Sequence, residues 1–195
     1  LPDAGAGALR RLVTGEDGRG EPLVKPYAVA VARGRIYVSD TVARHVQLFD
    51  VPGGRQYRIG EEEGPGQLVK PIGLDVDAAG NLYVADITQK AIVVYGPDRQ
   101  YLRRIGGDKW FTRLTSVTVD PAGSRIYAVD VGGVTSENHL VRVFDGKTGA
   151  QLAALAATNT LEAALLGVMF ASFTRSARVA FALGAGFKLL VTGAA

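Results

Sequence analysis

The chain has no cysteine, two histidines, one tryptophan and one methionine in 195 residues. Without cysteine, disulfides, zinc–thiolate centres and cysteine nucleophiles are excluded together. His45 and His139 are too few for a histidine-built zinc site, which needs three or four converging ligands. Charge of one sign is lacking as well. The 22 basic and 19 acidic side chains leave a formal net charge of +3, which argues against a strong nucleic-acid or membrane field. No apolar run reaches the roughly 20 residues that span a bilayer, because Arg175 and Arg178 interrupt the stretch near the C-terminus. No serine lies in a G-x-S-x-G setting. Gly64-Pro65-Gly66 and Gly132-Gly133 read as turns, since no helix start follows to supply the amide donors of a phosphate cradle.

What is present is a repeat. Three β-runs end in aspartate, at Ile36-Tyr37-Val38-Ser39-Asp40, Leu82-Tyr83-Val84-Ala85-Asp86 and Ile126-Tyr127-Ala128-Val129-Asp130. Each is followed by an aliphatic run with an aromatic at its fourth position: Val46 to Phe49, Ile92 to Tyr95 and Val141 to Phe144. Lys25-Pro26 recurs as Lys70-Pro71, and Tyr57-Arg58-Ile59-Gly60 as Arg103-Arg104-Ile105-Gly106. Each unit of about 45 residues therefore predicts four short strands separated by Gly, Asn and Pro turns. The units cover residues 24–60, 69–106 and 114–155. Four-stranded repeats of this length read as propeller blades, so the expected fold class is all-β, a partial β-propeller of about three blades.

The pattern K-P-x-G-x-x-V-D-x-x-G-N-L-Y-V-A-D, a polar stretch and then V-x-V-F-D resembles the NHL-repeat family of β-propellers. Asn138-His139-Leu140 falls where that family takes its name. The resemblance covers Leu9 to Leu155. It implies a six-bladed ring, of which three blades alone cannot close a circle. Missing blades or a partner are then needed to cover the open edges. Because one architecture hosts many activities, the resemblance implies three functions: a non-enzymatic scaffold for a protein or peptide, a metal-dependent lactonase or lyase needing the whole ring, or a single-stranded RNA binder. Lyases of this kind use histidine-rich zinc sites, which this chain lacks, and no cofactor is expected. Bacterial members are often exported, and an opening Leu1 fits a processed chain, periplasmic or otherwise extracytoplasmic.

The ends break the pattern. Leu9-Arg10-Arg11-Leu12 reads as an orphan fourth strand of a preceding blade. Residues 1–155 are thus expected to form the propeller unit and 156–195 an atypical apolar tail. The tail is open to three readings: disrupted sequence, an irregular terminal blade, or a membrane-contacting element. Leu161 to Phe173 suits a buried helix, and Ala177 to Leu183 with Phe187 to Thr192 suit a hairpin.

The repeated aspartates Asp40, Asp86 and Asp130 read as structural, accepting hydrogen bonds from the turn that follows. Asp75, Asp77 and Asp120 read as turn residues, although Asp75 and Asp77 share a strand face and would suit a cation. Binding is expected where the second-to-third and fourth-to-first connections gather on one face. That face carries Arg44, Lys90, Glu137 and the run Lys109-Trp110-Phe111-Thr112-Arg113. Trp and Arg are enriched at interface hot spots. The competing assignment for Trp110 and Phe111 is a plug between two blades.

Overall fold

The computed structural model describes residues 22–132, 139–157 and 187–190. β-branched and aromatic residues alternate or run continuously in short stretches, and Gly, Asn and Asp break them, so hairpins follow one another. The first antiparallel sheet contains β1 (Pro26–Ala32), β2 (Arg35–Asp40), β3 (His45–Asp50) and β4 (Arg55–Ile59) in sequential order. The second contains β5 (Pro71–Val76), β6 (Leu82–Asp86), β7 (Ala91–Tyr95) and β8 (Tyr101–Gly106). The third contains β9 (Leu114–Val119), β10 (Arg125–Asp130), β11 (Leu140–Asp145) and β12 (Gln151–Ala157). A short β13 (Phe187–Leu190) adds antiparallel to β12 as a fifth strand of that sheet. Part of the apolar tail thus joins the third sheet. Residues 1–21, 158–186 and 191–195 lie outside the described residues, and with them the proposed Leu9–Leu12 strand, the Leu161–Phe173 helix and the first hairpin arm.

The sheets stack face to face. The first strands β1, β5 and β9 lie beside one another, and β6 also meets β9. The middle sheet shows why its strands are almost wholly apolar: both faces are covered. Leu82, Val84, Val93 and Tyr95 pack with Tyr37, Leu48 and Ile59 of the first sheet. Tyr83, Ala85, Ile92 and Val94, one residue out of phase, pack with Val117, Ile126, Ala128 and Phe144 of the third. Period-two alternation therefore divides one strand between two cores. Ser39, fully buried, ties the first two sheets by accepting from Ala28 N at 3.0 Å and donating to Ile72 O at 2.6 Å. Asp75 ties the second to the third, accepting from Thr118 Oγ1 at 2.6 Å and Val119 N at 2.9 Å.

The leading face of the first sheet differs. Val29 pairs with Val38 as Leu74 pairs with Val84 and Val117 with Ala128, so the three positions are equivalent. Leu74 and Val117 are buried against the preceding sheet, whereas Val29 is 64% exposed and Val31 71%. With Tyr27, also exposed, they form an apolar stripe along β1.

Candidate binding face

Each sheet is closed at one end by its aspartate. Asp40 Oδ2 accepts from Val24 N (2.6 Å) and Lys25 N (2.9 Å), and Oδ1 from Val42 N (3.1 Å) and Ala43 N (2.9 Å). Asp86 repeats the device with Val69 N, Lys70 N, Thr88 N and Gln89 N at 2.6 to 3.0 Å. One carboxylate thus pins the segment entering the first strand and the turn leaving the second. Burial disfavours the charged form of Asp40, but the amide bonds from Ala43, Lys25, Val24 and Val42 outweigh it and hold the carboxyl below its ordinary range. In the third sheet Asp130 Oδ1 takes Thr112 N and Arg113 N at 3.0 and 2.8 Å. Its Oδ2 takes the Arg142 guanidinium, Nε at 3.0 Å and the terminal nitrogen at 2.9 Å.

This hydrogen-bond pattern aligns segments that the sequence alone leaves unmatched. Lys25, Lys70 and Arg113 are equivalent, each bonded through its N–H to the aspartate and through its carbonyl to Thr41, Ile87 or Val131 N. Two residues earlier stand Leu23, Leu68 and Phe111. Leu68 packs over Gly60 and Phe111 over Gly106, where a Cβ would come within 2.5 and 2.4 Å of those side chains. Both glycines also have positive φ, 86° and 102°.

Phe111 is accordingly a core residue. It is 1% exposed, and its ring lies 5.6 Å from that of Phe144 and 5.9 Å below the Arg142 guanidinium. Trp110 is half-buried, edge-on to Phe144 at 6.1 Å. The structure thus separates the aromatic–cationic run into an inner part, Phe111 with one edge of Trp110, and an outer part, Lys109, Thr112 and Arg113, which are exposed.

The connections gather as their mutual bonds require. Gln89 Nε2 donates to Gln67 O at 2.6 Å, linking the β6–β7 turn to the β4–β5 connection. Lys90 Nζ meets Asp108 Oδ1 at 3.0 Å and Lys90 O accepts from Gly107 N, linking the same turn to the β8–β9 connection. Arg44 and Lys90 occupy equivalent turn positions in left-handed conformation, φ 62° and 49°. Glycine or asparagine would adopt that conformation more readily. Arg44 is exposed, and Glu137 lies outside the described residues. Glu62 and Glu63 are exposed, while Glu61 pairs with Arg58 at 3.0 Å. Lys25 and Lys70 were singled out in the sequence only as repeat markers.

The other titratable groups are engaged elsewhere. His45 is buried, with Nδ1 3.1 Å from Ala43 O and Nε2 3.1 Å from Gln47 Oε1. His139 is exposed. Asp77 accepts from Asn81 N, Asn81 Nδ2 and Tyr83 OH, and Asp120 from Ser124 and Arg125. Burial, and then the Asp77 charge, push the Tyr83 phenol up to about 12. Asp75 and Asp77 thus serve different partners, and among the described residues no three His, Asp or Glu side chains gather as a metal-ligand set. Among the same residues no helix is long and apolar enough to cross a membrane.

Four-stranded antiparallel sheets packed face to face, with their first strands adjacent and their connections on shared faces, define a β-propeller. The chain belongs to the 6-bladed beta-propeller family DUF5128, whose model matches residues 12–119. Similar solved structures include Kuenenia stuttgartiensis hydrazine synthase, at 14% identity over 73% of this chain and 44% of that one, TM-score 0.54. The RRP9 WD40 repeats match at 16% identity over 70% and 39%, TM-score 0.55. A nidogen/laminin complex chain matches at 18% identity over 68% and 49%, TM-score 0.53. At these identities the likeness is one of fold. The chain spans between 39% and 49% of the length of these last two structures. No curated protein matches it.

Proposed function

We propose that this propeller is of the NHL-repeat kind and acts as a non-enzymatic scaffold, binding a protein or peptide through the face that carries the β2–β3, β4–β5, β6–β7 and β8–β9 connections. The observation that carries this reading is the composition of that face. Exposed Lys109 and Arg113 and half-buried Trp110 stand on the β8–β9 connection, which Lys90 ties to the β6–β7 turn, Arg44 stands exposed on the β2–β3 turn, and the buried aspartates beneath are occupied by backbone amides or, at Asp130, also by Arg142. Such a face offers anchors on a rigid base. A named structural neighbour described as WD40 repeats and another described as a complex of two proteins are compatible with this reading.

The test is selection of peptides from a random display library on the immobilised chain, followed by binding to the Trp110→Ala/Arg113→Ala variant. Loss of about 2 kcal/mol or more of affinity, with unchanged thermal unfolding, is expected for hot-spot anchors. Undiminished binding by a folded variant would remove this loop from the interface.

A further inference from the structure

Lys25, Lys70 and Arg113 are one position repeated three times. Each is exposed, each stands immediately before the first strand of its blade, and each has its backbone N–H fixed by the buried aspartate of that blade. The first strands β1, β5 and β9 adjoin one another, so the three cations follow the inner rim of the arc on the loop-bearing face. None makes an ion pair with a described residue, whereas Lys90, Arg58 and Arg142 each have a carboxylate partner. The side chain also changes chemically from Lys to Arg while keeping its charge, and the proline that follows Lys25 and Lys70 is replaced by Leu114. The shared feature is the positive charge and the anchored backbone beneath it.

Like charges repeated on adjacent blades, each above a buried aspartate whose carboxylate is already taken up by hydrogen bonds, leave three side-chain cations that favour a ligand bringing several negative charges at once. We infer that the inner rim formed by Lys25, Lys70 and Arg113 is the binding site for an acidic peptide segment, its carboxylates spaced along an extended chain. This inference rests on the scaffold reading above and names the chemical class of its partner. The charge of the face favours a peptide over a nucleic acid. Binding to a phosphate backbone draws its affinity from many cation contacts, and this face sets its three rim cations beside exposed Glu62 and Glu63 in a chain of formal net charge +3. A short acidic stretch of peptide needs no more than those three.

The experiment uses the full chain, a labelled decaglutamate peptide and a labelled decauridylate, with fluorescence anisotropy as readout. Two charge-reversed triples are compared: Lys25→Glu/Lys70→Glu/Arg113→Glu on the rim, and Arg33→Glu/Arg55→Glu/Lys147→Glu, exposed on or near the opposite connections. The expected result is salt-sensitive decaglutamate binding that weakens about tenfold or more, equivalent to about 1.4 kcal/mol or more, in the rim triple and changes less than about twofold in the other. The corresponding alanine triple supplies the comparison if charge reversal lowers the melting temperature. Equal loss in both triples would overturn the inference by showing diffuse attraction, and tighter binding of decauridylate would replace the peptide with a nucleic acid. No decaglutamate binding would also overturn it. If display-selected peptides still bind through Trp110 and Arg113 in that case, the scaffold reading survives; if they do not, both fail.

Discussion

A single aspartate per blade carries an unusual number of obligations. Asp86 is fully buried and accepts four backbone N–H bonds from two separate segments. Replacing it with alanine leaves those donors without their acceptor, at a typical cost of 1 to 3 kcal/mol for each one that water cannot reach. We therefore expect Asp86→Ala to lower unfolding stability by about 3 kcal/mol or more in urea titration. A loss below about 1 kcal/mol would show that water replaces the carboxylate. The role of Asp40 and Asp86 as acceptors from the following turn was legible from their position at strand ends. Their second role, holding the entering segment, was not, because Val24 and Lys25 lie 16 and 15 residues from Asp40 in sequence.

At the level of elements, the repeat announces its strands through alternation and turn residues, so the four-strand unit is visible in the sequence. The connections are harder to read because their length varies. Leu68 follows Gly60 by eight residues and Phe111 follows Gly106 by five, so the two do not align by counting. The aromatic character of Phe111 left a surface anchor and a plug between blades both open, and its environment, like that of Leu68, is the core between two sheets. The fifth strand was partly readable: Phe187–Leu190 has strand character, but its pairing with β12 spans a long intervening segment and leaves no local mark. The glycine that ends the fourth strand of the first two blades supplies the test for this element. Gly60→Ala places a Cβ within 2.5 Å of Leu68 and 2.7 Å of the Tyr95 hydroxyl at a φ of 86°. It is expected to cost about 2 kcal/mol or more, the sum of left-handed strain and overpacking. Gly54→Ala, with φ 59° and nothing within 4 Å of its Cβ, isolates the backbone contribution and should cost about 1 kcal/mol. Equal losses at the two sites would show that Leu68 does not pack against Gly60 in solution.

At the scale of the whole molecule, the asymmetry between the first sheet and the others is the main structural fact. Leu74, at 7% exposure, and Val29, at 64%, occupy the same position in successive blades. Leu74→Asp should therefore unfold the arc between the first two blades, since an unpaired buried charge is not tolerated. Val29→Asp should change stability by less than about 0.5 kcal/mol, as surface substitutions do. Matching losses would mean that the β1 stripe is covered in solution, by another blade or by a second copy.

The central claim is that the face bearing the β2–β3, β4–β5, β6–β7 and β8–β9 connections is the binding surface. Amide hydrogen exchange of the chain, with and without a display-selected peptide, tests it most directly. The account predicts new protection in residues 41–44, 61–67, 87–90 and 107–113. Protection confined to residues 77–81, 96–100, 120–124 and 146–150, the turns at the other ends of the same strands, would contradict it.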